Sequence, residues 1–337
     1  MDLDAAIQTM RPAVEEYLQR VLADLMPPEQ HELRTMLAYH MGWEGEGAGA
    51  EAQGKRIRPL LVLLSTAAAG ADWRAALPAA AAVEYVHNFS LIHDDIQDGS
   101  RLRRGRPTVW VKWGMAQAIN AGDVMFTLAH LAVYELCGAL PAASALDAAR
   151  VLDQTCMQLT EGQYLDLSYE QRQDLALDDY WPMVGGKTAA LLGCCTELGA
   201  LVAGVSAERR AAFRKFGVKL GLAFQAQDDW LGLWGNAEQT GKSIHSDLVS
   251  GKKTLPVLHA LGRGGDFAAR WKQGSVQPEE VERLAQMLVQ EGAQQYTELA
   301  ADRLTREALA ALDQAGEGSD GTVALRRLAE TLLKRAN

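Results

Sequence analysis

Residues 87–104 read HNFSLIHDDIQDGSRLRR, and the rest of the chain is read outward from them. Asp94, Asp95 and Asp98 stand at i, i+1 and i+4, which on a helix puts Asp94 and Asp98 one turn apart on one face with Asp95 beside them. Phe89, Leu91 and Ile92 just ahead describe a half-buried helix end, where carboxylates at neighbour spacing repel and are ordinarily avoided. Arg101, Arg103, Arg104 and Arg106 follow. Oxygen ligands for a hard divalent cation, beside guanidinium forks that match phosphate oxygens, describe a magnesium-diphosphate site. A DD-x-x-D string also occurs on solvated acidic helix faces, so the assignment depends on what else the chain carries. His87, seven residues before Asp94, lies two turns back on about the same face and can point into the same cavity.

The chain of 337 residues is long enough for a large core. Helix-favouring residues dominate, β-branched alternation is scarce, and the 10 prolines sit mostly between long periodic segments, so an all-α protein is expected. A formal net charge of −10 excludes a general nucleic-acid binder, whereas locally clustered arginines suit a small anionic ligand. Cys137, Cys156, Cys194 and Cys195 lie in apolar helical patterns without zinc spacing and read as core thiols of a reducing compartment. The acidic, amphipathic N-terminus lacks the regions of a signal peptide, and no stretch approaches the apolar length of a membrane span. A soluble, cytoplasmic protein is expected.

Residues 4–25 read as an amphipathic helix carrying Ile7, Val14, Leu18, Val21 and Leu25, with a kink or restart at Pro12 and an end at Pro27-Pro28. Gly45 to Gln53 reads as a flexible connection into GKRIRPLLVLLSTAAAG. There Lys55, Arg56 and Arg58 crowd a helix start, where an anion would be welcomed and cations are not; a snorkelling surface cluster is the plainer alternative. Long core helices are expected over 108–137 and 144–167, the second with a capping-box-like start at Ser144 and Asp147. It ends in EGQYLDL, with Gln163 and Asp166 at i, i+3. Lys187 opens a buried small-residue segment, GGKTAALLGCC, and needs an anionic partner. Asp228 and Asp229 sit among Leu222, Phe224, Trp230 and Leu231; if buried, they require a cation or a basic partner. GKSIHSDLVSGKKTLP then supplies Lys242, Asp247, Lys252 and Lys253 in a glycine-punctuated loop, suited to a lid over phosphates, and Pro256 opens another helix. Residues 278–337 read as amphipathic helices without chemistry of their own.

Together, GKRIRP at 54–59, DDIQD at 94–98 with RLRRG, GQYLDL at 162–167, GKTA at 186–189, FQAQDD at 224–229 and GKSIHSDLVSGKKTLP at 241–256 resemble the trans-isoprenyl diphosphate synthases, which include farnesyl and geranylgeranyl diphosphate synthases. The resemblance runs in order from Gly54 to Pro256. It implies one domain over 1–337, an all-α bundle around a central cavity, a homodimer, and Mg²⁺ as cofactor with about three ions per site. It implies that Asp94 and Asp98 bind the Mg²⁺ that holds an allylic diphosphate, with Asp95 supporting them. Asp228 would bind a further Mg²⁺ from the opposite wall, with Asp229 and Asp247 acting nearby or through water. Arg103, Lys187 and Lys252, with Lys242 close by, would contact the allylic diphosphate. Lys55, Arg58, His87 and Arg104 would hold isopentenyl diphosphate. Thr188 and Gln225 would turn oxygens toward the carbocation.

Two departures stand out: Gly232 replaces the third aspartate of the second motif, and His245 stands where glycine is common. Chain length in this family depends on bulk before the first acidic motif. Phe89 and Ser90, five and four residues ahead of Asp94, resemble a geranylgeranyl synthase more than a farnesyl synthase, with farnesyl or longer-chain specificity as the alternative. The alternatives on the same fold are a class I terpene cyclase, which has no use for a second diphosphate pocket, and a non-catalytic regulatory subunit, which has no use for intact acidic and basic motifs.

Overall fold

A computed structural model describes residues 2–26, 31–235, 246–316 and 318–333. Among them the chain is helical except for one two-stranded hairpin, as the composition predicts. It divides into two compact units, Met1–Gln154 with Cys194–Arg210 and Gly316–Leu325, and Thr155–Gly193 with Ala211–Ala315 and Arg326–Asn337.

The first unit holds α1 (Leu3–Leu25), α2 (His31–His40), α3 (Ala50–Gln53), α4 (Ile57–Ala68), α5 (Leu77–Gln97), α6 (Val109–Trp113) and α7 (Met115–Tyr134). It also holds the first part of α8 (Ala142–Glu170). Helix α1 buries Ala6, Met10, Val14, Leu18 and Val21 at helical spacing and runs through Pro12 without a restart. Leu60 to Leu64 of α4 are all buried, the mark of a helix apolar on every side and therefore central. A Cβ on Gly199 would lie 2.4 Å from the Val62 carbonyl oxygen, so only glycine lets that segment approach the α4 backbone.

Five expectations are corrected here. The helix expected over 108–137 breaks at Gly114 (φ 86°) into α6 and α7 and ends at Tyr134. Leu25, expected in the buried stripe of α1, is exposed. Helix α8 begins at Ala142, so Ser144 is not its cap. Cys137 is exposed rather than a core thiol. The stretch 45–53 is not a slack connection: Arg106 stacks on the Tyr39 ring and donates to the carbonyls of Tyr39, Glu44 and Glu46, at 2.7, 2.7 and 2.9 Å. Composition alone, rich in glycine, concealed that tie.

Arg106 is delivered by the hairpin, β1 (Leu102–Arg103) against β2 (Arg106–Pro107), with Arg103 opposite Arg106. Arg104 and Gly105 turn the chain, both at positive φ (52° and 74°), the mirror-image turn that matches strand twist. Arg56, the residue before α4, is the other non-glycine at positive φ among the described residues. Its guanidinium is buried and bonds Glu15 of α1 at 2.6 Å and Glu84 of α5 at 2.7 Å, and it also donates to the Met41 carbonyl.

The second unit contains the later part of α8, α9 (Tyr180–Val184), a π-turn over Gly185–Ala189 and the start of α10 (Ala190–Val202). It continues with α11 (Ala207–Trp234) from Ala211, α12 (Ser246–Val249), α13 (Leu255–Arg263), α14 (Asp266–Trp271), α15 (Val281–Gln290) and α16 (Ala293–Ala315). The end of α17 (Asp320–Leu333) completes it. One core cluster gathers Tyr180, Met183, Ala226, Leu255 and Leu258, and a second gathers Leu233, Leu248, Val257, Phe267 and Leu284. Helix α13 opens on Leu255-Pro256, as proline in a first turn predicts. Four of the five unit boundaries fall inside helices, in α8, α10, α11 and α17, and the fifth falls at the end of α16.

Arg56→Ala would leave two carboxylates in a place built for three charges. It should cost about 3–5 kcal/mol in urea unfolding, and a loss below about 1 kcal/mol, the range of exposed pairs, would refute the clamp.

Candidate active site

The three cations at the start of α4 have three fates. Lys55 is exposed, Arg56 is the buried clamp, and Arg58 is half-buried with Nη1 3.1 Å from His87 Nε2. No carboxylate forms an ion pair with Arg58 among the described residues, and its Nε is shut from solvent without a hydrogen-bond partner. His87 is kept neutral. Burial, then the facing Arg58, Arg104 and Arg103, hold its pKa well below the ordinary histidine value. His40 is treated likewise, by burial and by Arg104, Arg103 and Arg56, and its Nε2 has no hydrogen-bond partner. Arg104 donates to the Ala52 carbonyl at 2.7 Å, which leaves most of its fork uncommitted. These cations and neutral imidazoles make a donor-rich cluster of the kind that suits an anion.

The three aspartates of the first motif also divide. Asp94 is half-buried and Asp98, closing α5, is exposed. Asp95 is 1 % exposed and grips Arg103, whose Nε reaches both carboxylate oxygens at 2.9 Å while Nη2 lies 2.7 Å from Oδ1. Burial raises the Asp95 pKa against the pull of Arg103. Upstream on α5, the Phe89 ring meets His93 edge-on and packs against Phe126 of α7, at 5.1 and 5.0 Å between centroids. Ser90 donates to the His87 carbonyl.

In the second unit, Asp166, Lys187, Gln225, Asp228, Asp247 and Lys252 line a cavity of about 110 Å³. The anionic partner that Lys187 required is Asp166. The π-turn carries Lys187, and its route is cut by glycines: a Cβ on Gly162 would lie 2.0 Å from the Lys187 nitrogen, and one on Gly186 2.5 Å from the Gln158 carbonyl. π-turns of this kind concentrate at functional sites.

Asp228 is half-buried and Asp229 is buried, and among the described residues no lysine or arginine forms an ion pair with Asp229. Three neutral donors serve instead: Tyr180 Oη at 2.7 Å, the Leu255 amide at 2.8 Å and Gln225 Nε2 at 2.9 Å. Burial still pushes its pKa up to about 7 against those donors. The carboxylate fixes the Gln225 amide with nitrogen toward Asp229, so Gln225 Oε1 is the atom that faces Thr188, whose hydroxyl donates to it at 3.1 Å.

Most of the residues singled out from sequence thus fall into these two groups; Lys242 and His245 lie outside the described residues. Sequence reasoning missed Tyr180, Glu15 and His40, none of which belongs to a motif. Gly162 and Gly186 carried a signal, because glycine inside a helical pattern marks a close backbone approach. Among the described residues no three histidine, cysteine or carboxylate groups converge to hold a metal unaided. Half-buried carboxylates do fit Mg²⁺, which takes one or two carboxylates and fills its octahedron with water and phosphate oxygens.

Residues 48–289 match the family model of the polyprenyl synthetases. A geranylgeranyl diphosphate synthase of Mycobacterium tuberculosis is 39 % identical over 95 % of both chains. A (2E,6E)-farnesyl diphosphate synthase of the same species is 45 % identical over 74 % of this chain and 68 % of its own. A polyprenyl synthetase from Streptomyces coelicolor A3(2) superposes with a TM-score of 0.88 at 36 % identity, over 98 % of this chain and 100 % of that one. A geranylgeranyl pyrophosphate synthase from Corynebacterium glutamicum, complexed with isoprenyl diphosphate and magnesium, gives 0.83 at 27 %, over 99 % and 100 %. The chain belongs to the polyprenyl synthetase family. It is a prenyltransferase, an enzyme of isoprenoid biosynthesis, with the helical fold of that family.

The depressed pKa values of His40 and His87 set a pH dependence. The unfolded chain takes up these protons near pH 6.5 while the folded chain does not, so this stability is full above that pH and is lost as pH falls below it. Unfolding midpoints should therefore drop between about pH 7.5 and 5.5. His87→Asn should drop less over the same range, and equal slopes would refute the assignment.

Proposed function

We propose that this protein condenses isopentenyl diphosphate with an allylic diphosphate and that its main product is geranylgeranyl diphosphate. The observation that carries the reading is the pocket around Arg58. A half-buried guanidinium beside a neutral histidine, with no ion-paired carboxylate among the described residues, suits a second diphosphate. A cyclase would have no use for one.

Asp94, Asp98 and Asp228 would hold Mg²⁺, in about three ions, which when bound neutralises and orients the diphosphate leaving group. Asp95 keeps Arg103 extended toward the same phosphate oxygens, and Lys187, Lys252 and Lys242 add positive charge. Lys55, Arg58, Arg104 and His87 hold isopentenyl diphosphate with its double bond toward the allylic carbon. Gln225 Oε1, fixed by Asp229, and the Thr188 oxygen face the developing cation, a preorganised dipole at the point where charge appears. The proton lost on forming the new double bond goes to the departing diphosphate.

Phe89, braced by Phe126, bounds the growing chain, while Ser90 leaves room one position on. We read the two units as one catalytic domain, because four of their five boundaries cut through helices and domain boundaries ordinarily fall in linkers. No helix among the described residues is long and apolar enough to cross a membrane, and we place the enzyme in the cytoplasm. We assign it a homodimer, for which Met115, Ile119, Leu131 and Tyr134 offer exposed apolar side chains on α7.

The test is a product profile of the purified chain with isopentenyl diphosphate and each allylic primer in turn, with incubation on geranylgeranyl diphosphate alone as the cyclase control. Twenty-carbon diphosphate should dominate; hydrocarbon or alcohol from the control would overturn the reading. Asp94→Ala should lower kcat/KM at least about 100-fold with helicity unchanged. Lys55→Ala should raise KM for isopentenyl diphosphate about 10- to 100-fold, the worth of a charged hydrogen bond, and leave the allylic KM alone. Ser90→Phe should shift the product to fifteen carbons.

A further inference from the structure

Helix α11 runs unbroken from Asp228 through Gly232, so these residues stand at i and i+4 on one face. A Cβ at Gly232 would lie 3.2 Å from Asp247 Oδ2, inside ordinary carbon contact distance. A side chain at 232 would thus press on the Asp247 carboxylate, which would have to give way by a few tenths of an ångström. Asp247 and Asp228 line the same cavity, beside Lys187 and Lys252. The placement of Asp247 is built in. Its neighbour Leu248 is buried in one cluster with Leu233 of α11, and its own carbonyl accepts from the Lys252 amide at 3.0 Å and from Ser250 Oγ at 3.2 Å.

We propose that Gly232 is a positioning residue: its missing side chain admits the Asp247 carboxylate to the face of α11 one turn beyond Asp228, where the two acids together serve the metal-diphosphate group. The inference rests on the reading above, that Asp228 holds Mg²⁺ for the allylic diphosphate. On α5 one helix supplies the acids at both i and i+4, Asp94 and Asp98. On α11 the helix supplies the first and the segment after it supplies the second, so affinity on this side depends on how α12 is seated. Residues 232 and 247 are then interchangeable in function. An aspartate at either place can serve, and any other side chain at 232 displaces Asp247 without replacing it.

The experiment is calorimetric titration of the full chain with an unreactive allylic thiolodiphosphate at several Mg²⁺ concentrations, with circular dichroism on every variant. Gly232→Ala favours helix, so loss of fold is not expected to obscure it. Asp247→Asn should weaken Mg²⁺-dependent binding about tenfold and Gly232→Ala should weaken it several-fold, each on the order of 1 kcal/mol. Adding Gly232→Asp to Asp247→Asn should restore affinity to within about threefold of the parent. Parental affinity in Gly232→Ala, or failure of the added aspartate to rescue Asp247→Asn, would overturn the proposal. If the parent itself showed no Mg²⁺-dependent binding, the reading of the whole site would fail rather than this inference.

Discussion

A guanidinium cut off from water must be neutralised where it stands, and in the first unit that requirement falls on Arg56. Its two acids come from α1 and α5 while its own backbone begins α4, so one buried charge triplet fixes the mutual placement of three helices. The left-handed backbone at Arg56 belongs to the same arrangement. Of the flanking cations, one is left in solvent and the other lies against His87. A strained residue that would look like a defect in isolation is the point from which an anion pocket is laid out.

The same economy governs the two aspartate pairs. In both, the first residue is half-buried and the second is buried and committed to protein partners: Asp95 to Arg103, Asp229 to Tyr180, Gln225 and the Leu255 amide. The second acid of each pair fixes a neighbouring polar group, the Arg103 guanidinium in one case and the Gln225 amide in the other. An adjacent pair on a helix cannot direct both side chains to the same place, and the fold uses that divergence.

The helical class, the middle of the α1 stripe at Val14, Leu18 and Val21, the start at Pro256 and the grouping of Asp94, Asp98, Arg103 and His87 on neighbouring elements were legible from periodicity, proline placement and charge. The need of Lys187 for an anion was legible from desolvation, and Asp166 meets it. What escaped were interactions with no local signature. Tyr180 lies 49 residues from the carboxylate it serves, and Arg106 ties down a glycine-rich stretch that composition alone reads as slack. Sequence spacing reports faces of elements, not which neutral donors a fold will bring to a buried oxygen. Asp229 was therefore expected to need a cation or a basic partner, while its partners among the described residues are neutral donors.

The π-turn at Gly185–Ala189 carries Lys187 and Thr188 between two stretches of ordinary helix. A π-turn amounts to one residue more than α geometry requires, so the position is a phase shift written into the chain. Loss of a single residue there would let α9 and α10 join as regular helix with the faces beyond the deletion left in phase, while turning the atoms of the π-turn itself to new directions. For an alignment, a gap of one at this place is therefore a chemical event rather than a neutral indel, and a relative that carries it would keep the architecture while presenting different atoms to the substrate.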